Sequence, residues 1–513
     1  MPIKNFFFAK KISLVCLLQM LAICLVAQNN LSAKPEAPMT VDINWDSTLM
    51  TSKTTATLQV VENPMLRFNS PIHKNTFKAL KELGADYVRY VPWFPYPKMA
   101  VAELIAPTKT KTFWDLTYLD STMNEIMNAT AGHPVVINFS TTPAWLWKTD
   151  SLVAYPDDPY QLTWSYNQGK TLKDTTMKEL TGYYSRLFSW YTKGGFTDEL
   201  GKFHKSDHHY KIQYWEVLNE PDLEHNISPR LYTKMYDAIA GALKKISPET
   251  KFIGISLAFV DNVDFFEYFL NRKNHKEGVM VEGISYHHYS TPSFFGQAID
   301  AFQYTCFEKT DAFLVKVRYI ENIRKRLAPK SFTMINELGI ILQSPAVSSP
   351  IPPEYWNLAG AMFAYSYIEL MKMNIDVVGE SQLVGYPTQF PDVSMMNWEN
   401  GKPNSRYHVL KLIKENFGPG DKLVYTKMEN LSDFWIVLTP TVQAFNTKKG
   451  KRILLINRKN KEVYLQLPEH TKGAIATMVN TLTGDNPSVQ ATLENNSITL
   501  KPFEVVVLAL KQL

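Results

Sequence analysis

The stretch Tyr214-Trp215-Glu216-Val217-Leu218-Asn219-Glu220-Pro221-Asp222 begins with strand-forming residues and ends at a proline. Pro221 has no N–H, so ladder pairing must stop there and Glu220 is delivered to the strand's C-terminal tip. A carboxylic acid at that tip, beside the amide of Asn219, is equipped to protonate a glycosidic oxygen. Such chemistry calls for a second carboxyl about 5–5.5 Å away if the sugar's configuration is retained. Ser331-Phe332-Thr333-Met334-Ile335-Asn336-Glu337-Leu338-Gly339 supplies one. Four residues of strand character lead toward Glu337, and Gly339 opens the following loop. Glu220 is then the acid/base and Glu337 the nucleophile.

Something must bring the two together. Strand patterns recur at 57–61, 87–91, 135–139, 214–218, 252–255, 283–286, 332–335 and 376–378, with amphipathic helical stretches between most of them. Strands alternating with helices in this way predict a (β/α)8 TIM barrel over residues 55–418, with the glutamates on strands four and seven. One connection shows the logic: Ser228 caps a helix, Pro229 fills its first turn, and Leu231, Met235, Ala238, Ile239, Ala242 and Ile246 form an apolar stripe. After Gly418-Pro419-Gly420 the pattern changes to short strands at 434–439, 452–457, 463–467, 474–480, 497–500 and 504–510, so residues 419–513 read as an all-β sandwich. The alternation at 41–45 lets the segment 28–54 add a strand to that domain.

The run from Trp215 to Asp222, with the later Ser247-Pro248, resembles the clan A glycoside hydrolases and is most similar to glycoside hydrolase family 39. The resemblance implies a retaining enzyme with a β-xylosidase- or α-L-iduronidase-like substrate range and a small β-domain beside the barrel. It implies the acid/base role for Glu220, the nucleophile for Glu337, and a hydrogen bond from Asn219 to the sugar 2-OH, its amide also able to donate to the nucleophile. Leu218, where the family often has Trp, and Leu338-Gly339 after Glu337 depart from the pattern.

Other residues are candidates for binding the sugar. Arg89 is a charge inside an apolar strand and needs a partner, for which Glu337 is one choice and a structural carboxylate another. In Ser285-Tyr286-His287-His288-Tyr289, alternation puts His287 and Tyr289 on one face and His288 on the other. Loosening of the strand tip favours His288 and Tyr289 for the site. Trp93, Trp145, Trp147 and Trp398 follow strand tips, where rings stack on sugar faces, with Trp145 and Trp398 carried forward as substrate contacts. The cluster His204-Lys205-Ser206-Asp207-His208-His209 lacks the spacing of a helical metal site and precedes the fourth strand, so it is read as no metal centre. The chemistry requires neither metal nor cofactor.

The chain has 513 residues, enough for one large domain and a smaller one. Residues 1–27 read as a signal peptide: Lys4, Lys10 and Lys11 precede an apolar run too short for a membrane span. The expected location is therefore secreted or periplasmic, with lipid anchoring disfavoured by Ile23 before Cys24. Removing that segment takes three lysines, so the formal charge falls from +5 to +2 and no argument for nucleic acid or membrane surfaces remains. It leaves Cys306 alone, without an internal disulfide partner. The expected partner is an oligosaccharide, polysaccharide or glycoconjugate. Two other readings share the residues: a glycan-binding barrel without catalysis, and a transglycosylase that passes the sugar to another sugar instead of water.

Overall fold

The computed structural model describes residues 38–166, 168–342, 351–387, 389–429 and 438–511. The segment 1–27 and the expected strand positions 434–437 lie outside these. Eight parallel strands close a barrel: β1 (Thr55–Val61), β2 (Val88–Val91), β3 (Val135–Ile137), β4 (Tyr214–Glu216), β5 (Lys251–Leu257), β6 (Gly283–Ser290), β7 (Phe332–Ile340) and β8 (Val377–Glu380). Each strand is followed by a helix: α1 (His73–Leu83), α2 (Thr117–Ala129), α3 (Lys178–Thr192), α4 (Pro229–Ile246), α5 (Val263–Leu270), α6 (Ile299–Leu327), α7 (Pro353–Lys372) and α8 (Ser405–Asn416). Strand and helix faces meet in one core, which runs from Leu58 and Val60 on β1 to Leu410 and Ile413 on α8. At Gly254 on β5 a Cβ would lie 2.2 Å from the Phe269 ring of α5, so helix and sheet approach there as only glycine allows.

The differences from expectation have local causes. Tyr87 takes a left-handed φ of 62°, so β2 starts one residue late. β4 stops at Glu216, because Leu218 turns left-handed at φ 60°. β6 and β7 run four or five residues further than their apolar patterns, paired residue by residue to Ser290 and Ile340. Their ladder carries one irregularity, between Ile335 and Glu337, so Glu337 sits within a continuing strand, not at its last residue. On α4, Ser228 caps as expected, but the buried face is centred on Tyr232, Met235, Tyr236, Ile239 and Leu243, and Leu231, Ala238, Ala242 and Ile246 are only partly covered. The tyrosines go inward because their hydroxyls find carbonyls there: Tyr232 donates to Val217 at 2.8 Å and Tyr236 to Met280 at 2.9 Å.

The second domain is all-β, in line with the sequence pattern: nine hydrogen-bonded strands are built around a core of their own. The strand Met39–Thr51 belongs to it. It pairs antiparallel with Lys422–Glu429 and parallel with Val463–Gln466, and contributes Val41 and Ile43 to the core. The domain touches the barrel through α6 and α7, where the Arg458 guanidinium lies 4.5 Å from the Tyr365 ring and Asn460 donates to Asp300 at 2.7 Å. Among the described residues no helix is long and apolar enough to cross a membrane.

Candidate active site

The strand tips of β4 and β5 are locked to each other in unusual backbone. Glu220 has φ 42°, and Ile255 and Ser256 have φ 70° and 44°, all left-handed. Such residues cost about 1–3 kcal/mol each and persist only where the surroundings hold them. Here the Glu220 N–H donates to the Ser256 carbonyl at 2.9 Å. The Asp222 carboxylate accepts from the N–H groups of Ala258 and Phe259 at 3.1 and 3.0 Å. Together these contacts aim Glu220 across the barrel mouth.

Glu220, His287 and Glu337 meet there, with one side-chain atom of each lying within 4.8 Å of the others. His287 Nδ1 is 2.7 Å from Glu220 Oε1 and 3.5 Å from Glu337 Oε1. Its Nε2 is 3.1 Å from Ser256 Oγ. Tyr289 donates to Glu337 Oε2 at 2.6 Å.

Below the glutamates lies Arg89, 1% exposed and satisfied on every side. Its Nε donates to Glu216 at 2.5 Å, Nη1 to Glu337 at 2.6 Å and Gln59 at 2.7 Å, and Nη2 to Asn219 at 2.6 Å and Ser256 at 3.0 Å. Glu216 is wholly buried and also accepts from Asn138 and Ser285 at 2.5 Å and from Asn336 at 2.7 Å. Arg89 therefore has both kinds of partner that a buried charge in β2 calls for.

This charge arrangement drives the two glutamates apart. Burial pushes Glu220 above the usual carboxylate range; the His287 contact opposes the rise and the Glu337 charge adds to it. Burial would also raise Glu337, but the charges of His287 and Arg89 and the Tyr289 hydroxyl outweigh it and hold Glu337 low. Glu216 is likewise held low, with Arg89 and Ser285 outweighing its burial. Burial lowers the basicity of His287, yet Glu337 and Glu220 reverse this and leave it raised.

The cluster forms the floor of a cavity of about 820 Å³ at the C-terminal end of the barrel. Trp93, Phe94, Trp164 and Phe390, from the loops after β2, β3 and β8, form an aromatic wall with ring centroids 5.2–6.3 Å apart. Glu224 reaches the same space, its Oε1 accepting from Trp93 Nε1 at 2.7 Å and from Asn219 Nδ2 at 2.8 Å.

Not every candidate from the sequence comes to this floor. Because β6 stays regular through Ser290, alternation holds. His287 and Tyr289 face the carboxylates, and His288 turns to stack on Phe313 at 4.3 Å, with Nε2 3.1 Å from Ser290 Oγ. Its edge reaches the cavity wall, where its ring is held by Phe313 and Ser290 and not by a carboxylate among the described residues. Asn219 gives its amide to Glu224, not to Glu337. Trp145 and Trp398 do not line the cavity; Trp145 donates to the Glu103 carbonyl at 2.8 Å beside a separate depression. Trp147 is buried against His225. The histidine cluster is split between carboxylates, His204 on Asp198 at 2.8 Å and His208 on Asp120 at 3.3 Å.

Several residues of the site had no place in the sequence reading, among them Glu216, Gln59 and Glu224. Glu216 carried a signal, being an acid inside a strand and so a natural partner for a buried arginine. Gln59 and Glu224 carried none beyond lying near strand tips.

The chain matches no family model and no curated protein. Solved structures do match. The GH51 arabinofuranosidase from Xanthomonas axonopodis pv. citri is 12% identical, over 92% of this chain and 100% of that one, with a TM-score of 0.62. A monomeric beta-xylosidase from Caulobacter crescentus CB15 is 14% identical over 92% and 99%, with a TM-score of 0.59. A conserved exported protein from Bacteroides fragilis is 11% identical over 91% and 99%, with a TM-score of 0.61. At these identities the likeness shows the fold: a TIM barrel with an appended β-domain, shared over nearly the whole chain with structures that include glycoside hydrolases.

Proposed function

We propose that the protein is an exported retaining glycoside hydrolase acting on neutral sugars. The observation that carries this reading is the pair Glu220 and Glu337, within 4.8 Å on the cavity floor and displaced in opposite directions, one toward the acid and one toward the carboxylate form. Carboxyl oxygens that approach within 4.8 Å fit a retaining pair, whose carboxyls stand about 5–5.5 Å apart, better than an inverting pair at about 6.5–9.5 Å. Glycosidase names among the fold neighbours and the sequence resemblance to family 39 support it.

In the first step a Glu337 oxygen bonds to the anomeric carbon as the glycosidic C–O bond breaks. The departing oxygen keeps the electron pair and takes the Glu220 proton. Water then bonds to the same carbon and gives its proton to the Glu220 carboxylate, and the ester bond to Glu337 breaks. Both glutamates end as they began. Arg89 and Tyr289 orient Glu337, and His287 steadies Glu220.

Within the xyloside-to-iduronide range, the charges favour the neutral end. A uronate needs a free cation facing its carboxylate. Of the cations lining the cavity among the described residues, Lys316 has its Nζ 2.7 Å from Asp261, and His287 is held between Glu220 and Glu337. Arg89 is fully engaged beneath the floor. Export is supported by the charged and apolar pattern of the first residues and by the exported neighbour.

The test is a panel of aryl glycosides of xylose, arabinose, glucose, glucuronic acid and iduronic acid, with Glu337→Ala as the variant. Expected are turnover of a neutral member, loss of activity in the variant, and partial rescue by azide to a glycosyl azide of inverted configuration. Full activity in Glu337→Ala overturns the double displacement, and preference for a uronide overturns the neutral-sugar reading.

A further inference from the structure

Besides Glu220 and Glu337 the cavity is lined by Asp261, which is paired with Lys316, and by Glu224, to which the double displacement gives no task. Its position follows from the turn after the acid/base residue. The N–H groups of Leu223 and Glu224 both donate to the Glu220 carbonyl, at 2.8 and 2.7 Å, which folds the side chain of Glu224 back toward the barrel mouth. One oxygen, Oε1, is fully used by Trp93 and Asn219. The other, Oε2, has among the described residues a single hydrogen-bond contact of 3.4 Å, from Gln168 Nε2, at the outer limit of a hydrogen bond. Glu224 and Gln168 both line the cavity.

Its clamp on Asn219 matters in its own right. The Asn219 amide has its oxygen fixed by Arg89 Nη2 at 2.6 Å and one N–H fixed by Glu224 at 2.8 Å. The amide plane is then set, and its second N–H is left for a ligand. Trp93 is held in the same way, by its indole N–H, on the wall of the same cavity.

We propose that Glu224 is a specificity-determining residue of the sugar site, its Oε2 bonding the ring 3-OH while the Asn219 amide it orients takes the 2-OH. This rests on the glycosidase reading given above. Asn219 Nδ2 and the Glu224 carboxyl are joined at 2.8 Å through Oε1, so the amide and Oε2 stand side by side, as two partners for adjacent hydroxyls on one ring must. Burial and the neighbouring Glu220 push Glu224 up to about 8, against the Asn219 and Trp93 hydrogen bonds. It therefore carries a proton at neutral pH, and Oε2–H donates to the hydroxyl. A protonated Glu224 also adds no third negative charge beside Glu220 and Glu337.

The experiment measures both binding and hydrolysis of an aryl glycoside of the preferred neutral sugar and of its 2-, 3- and 4-deoxy analogues. It uses the full-length protein and the variants Glu224→Ala and Glu224→Gln. Wild type is expected to disfavour the 3-deoxy analogue by about tenfold, the worth of one hydrogen bond. In Glu224→Ala that penalty disappears while the 4-deoxy penalty stays, and the 2-deoxy penalty shrinks as Asn219 loses its anchor. Glu224→Gln, which keeps an acceptor and a donor, restores discrimination at position 3. A loss spread evenly over parent and analogues in Glu224→Ala overturns the assignment, because that is what a merely structural role produces. So does a wild type that binds none of the sugars. A wild type that binds with this pattern but hydrolyses nothing supports the Glu224 assignment and overturns the hydrolase reading instead.

Discussion

Replacing Arg89 by methionine removes the one cation between two buried carboxylates and leaves both in place. Arg89 lies 2.5 Å from Glu216 and 2.6 Å from Glu337, and the side chains of Arg89 and Glu216 are 1% and 0% exposed. At an effective dielectric of 20, one unit pair about 4 Å apart attracts by about 4 kcal/mol. Removing one partner of a buried pair costs about 3–5 kcal/mol, most of it the desolvation of the charge left behind. The expected loss in Arg89→Met, from urea unfolding followed by far-UV circular dichroism at pH 7, is therefore about 3–5 kcal/mol. Glu216→Gln in the same chain removes the orphaned charge, so the double variant should be more stable than Arg89→Met alone. The sign with pH is fixed as well. Glu216 and Glu337 are held below their unfolded values, so their contribution is full above the unfolded carboxylate range, about pH 4.3, and is lost as pH falls through the folded values. The gap between wild type and Arg89→Met should accordingly narrow on acidification. A single variant within about 1 kcal/mol of wild type, or a double variant that loses the sum of both singles, refutes the account of Arg89 as the charge that holds the floor together.

Two further outcomes follow from other contacts. His287→Ala removes the group that opposes the upward shift of Glu220, so the alkaline limb of kcat/KM should move to higher pH while the rate falls by about 10²-fold; an alkaline limb that stays in place would separate His287 from the acid. Deleting residues up to Thr51 strips a strand that pairs on both edges and buries Val41 and Ile43, so the unfolding midpoint should fall, as read by thermal denaturation; an unchanged midpoint would make the strand dispensable.

The fold was legible because eight strand patterns with helices between them leave little else to build, and because Pro221 marks a strand end close to Glu220, although β4 itself stops earlier, at Glu216, where Leu218 turns left-handed. The inward face of β6 is set by pairing along its whole length. A loosened tip would bring His288 inward, yet pairing with β7 continues to Ser290 and keeps His287 and Tyr289 inward. The aromatic candidates illustrate a different limit. Trp145 and Trp93 both follow strand tips, but which ring overhangs the barrel depends on how each loop folds back, and that is set by distant partners such as Glu103 and Glu224. Glu216 could have been found by asking Arg89 for every partner it needs instead of one. Glu224 could not, because only the folded turn brings it back beside Asn219.

The strand Met39–Thr51 lies early in the chain, yet its neighbours are Lys422–Glu429 and Val463–Gln466. During synthesis the whole barrel therefore emerges before that strand has anything to pair with. At about 5–20 residues per second, the wait for some 380 residues is of the order of tens of seconds, long enough for the barrel to fold first. Throughout it the strand is a bare edge carrying Val41 and Ile43, open to pairing with other chains. The alternation that leaves Asp42 and Asn44 exposed between those apolar residues gives the waiting segment its solubility, and the closing of the nine-stranded sheet becomes the last event in the maturation of the molecule.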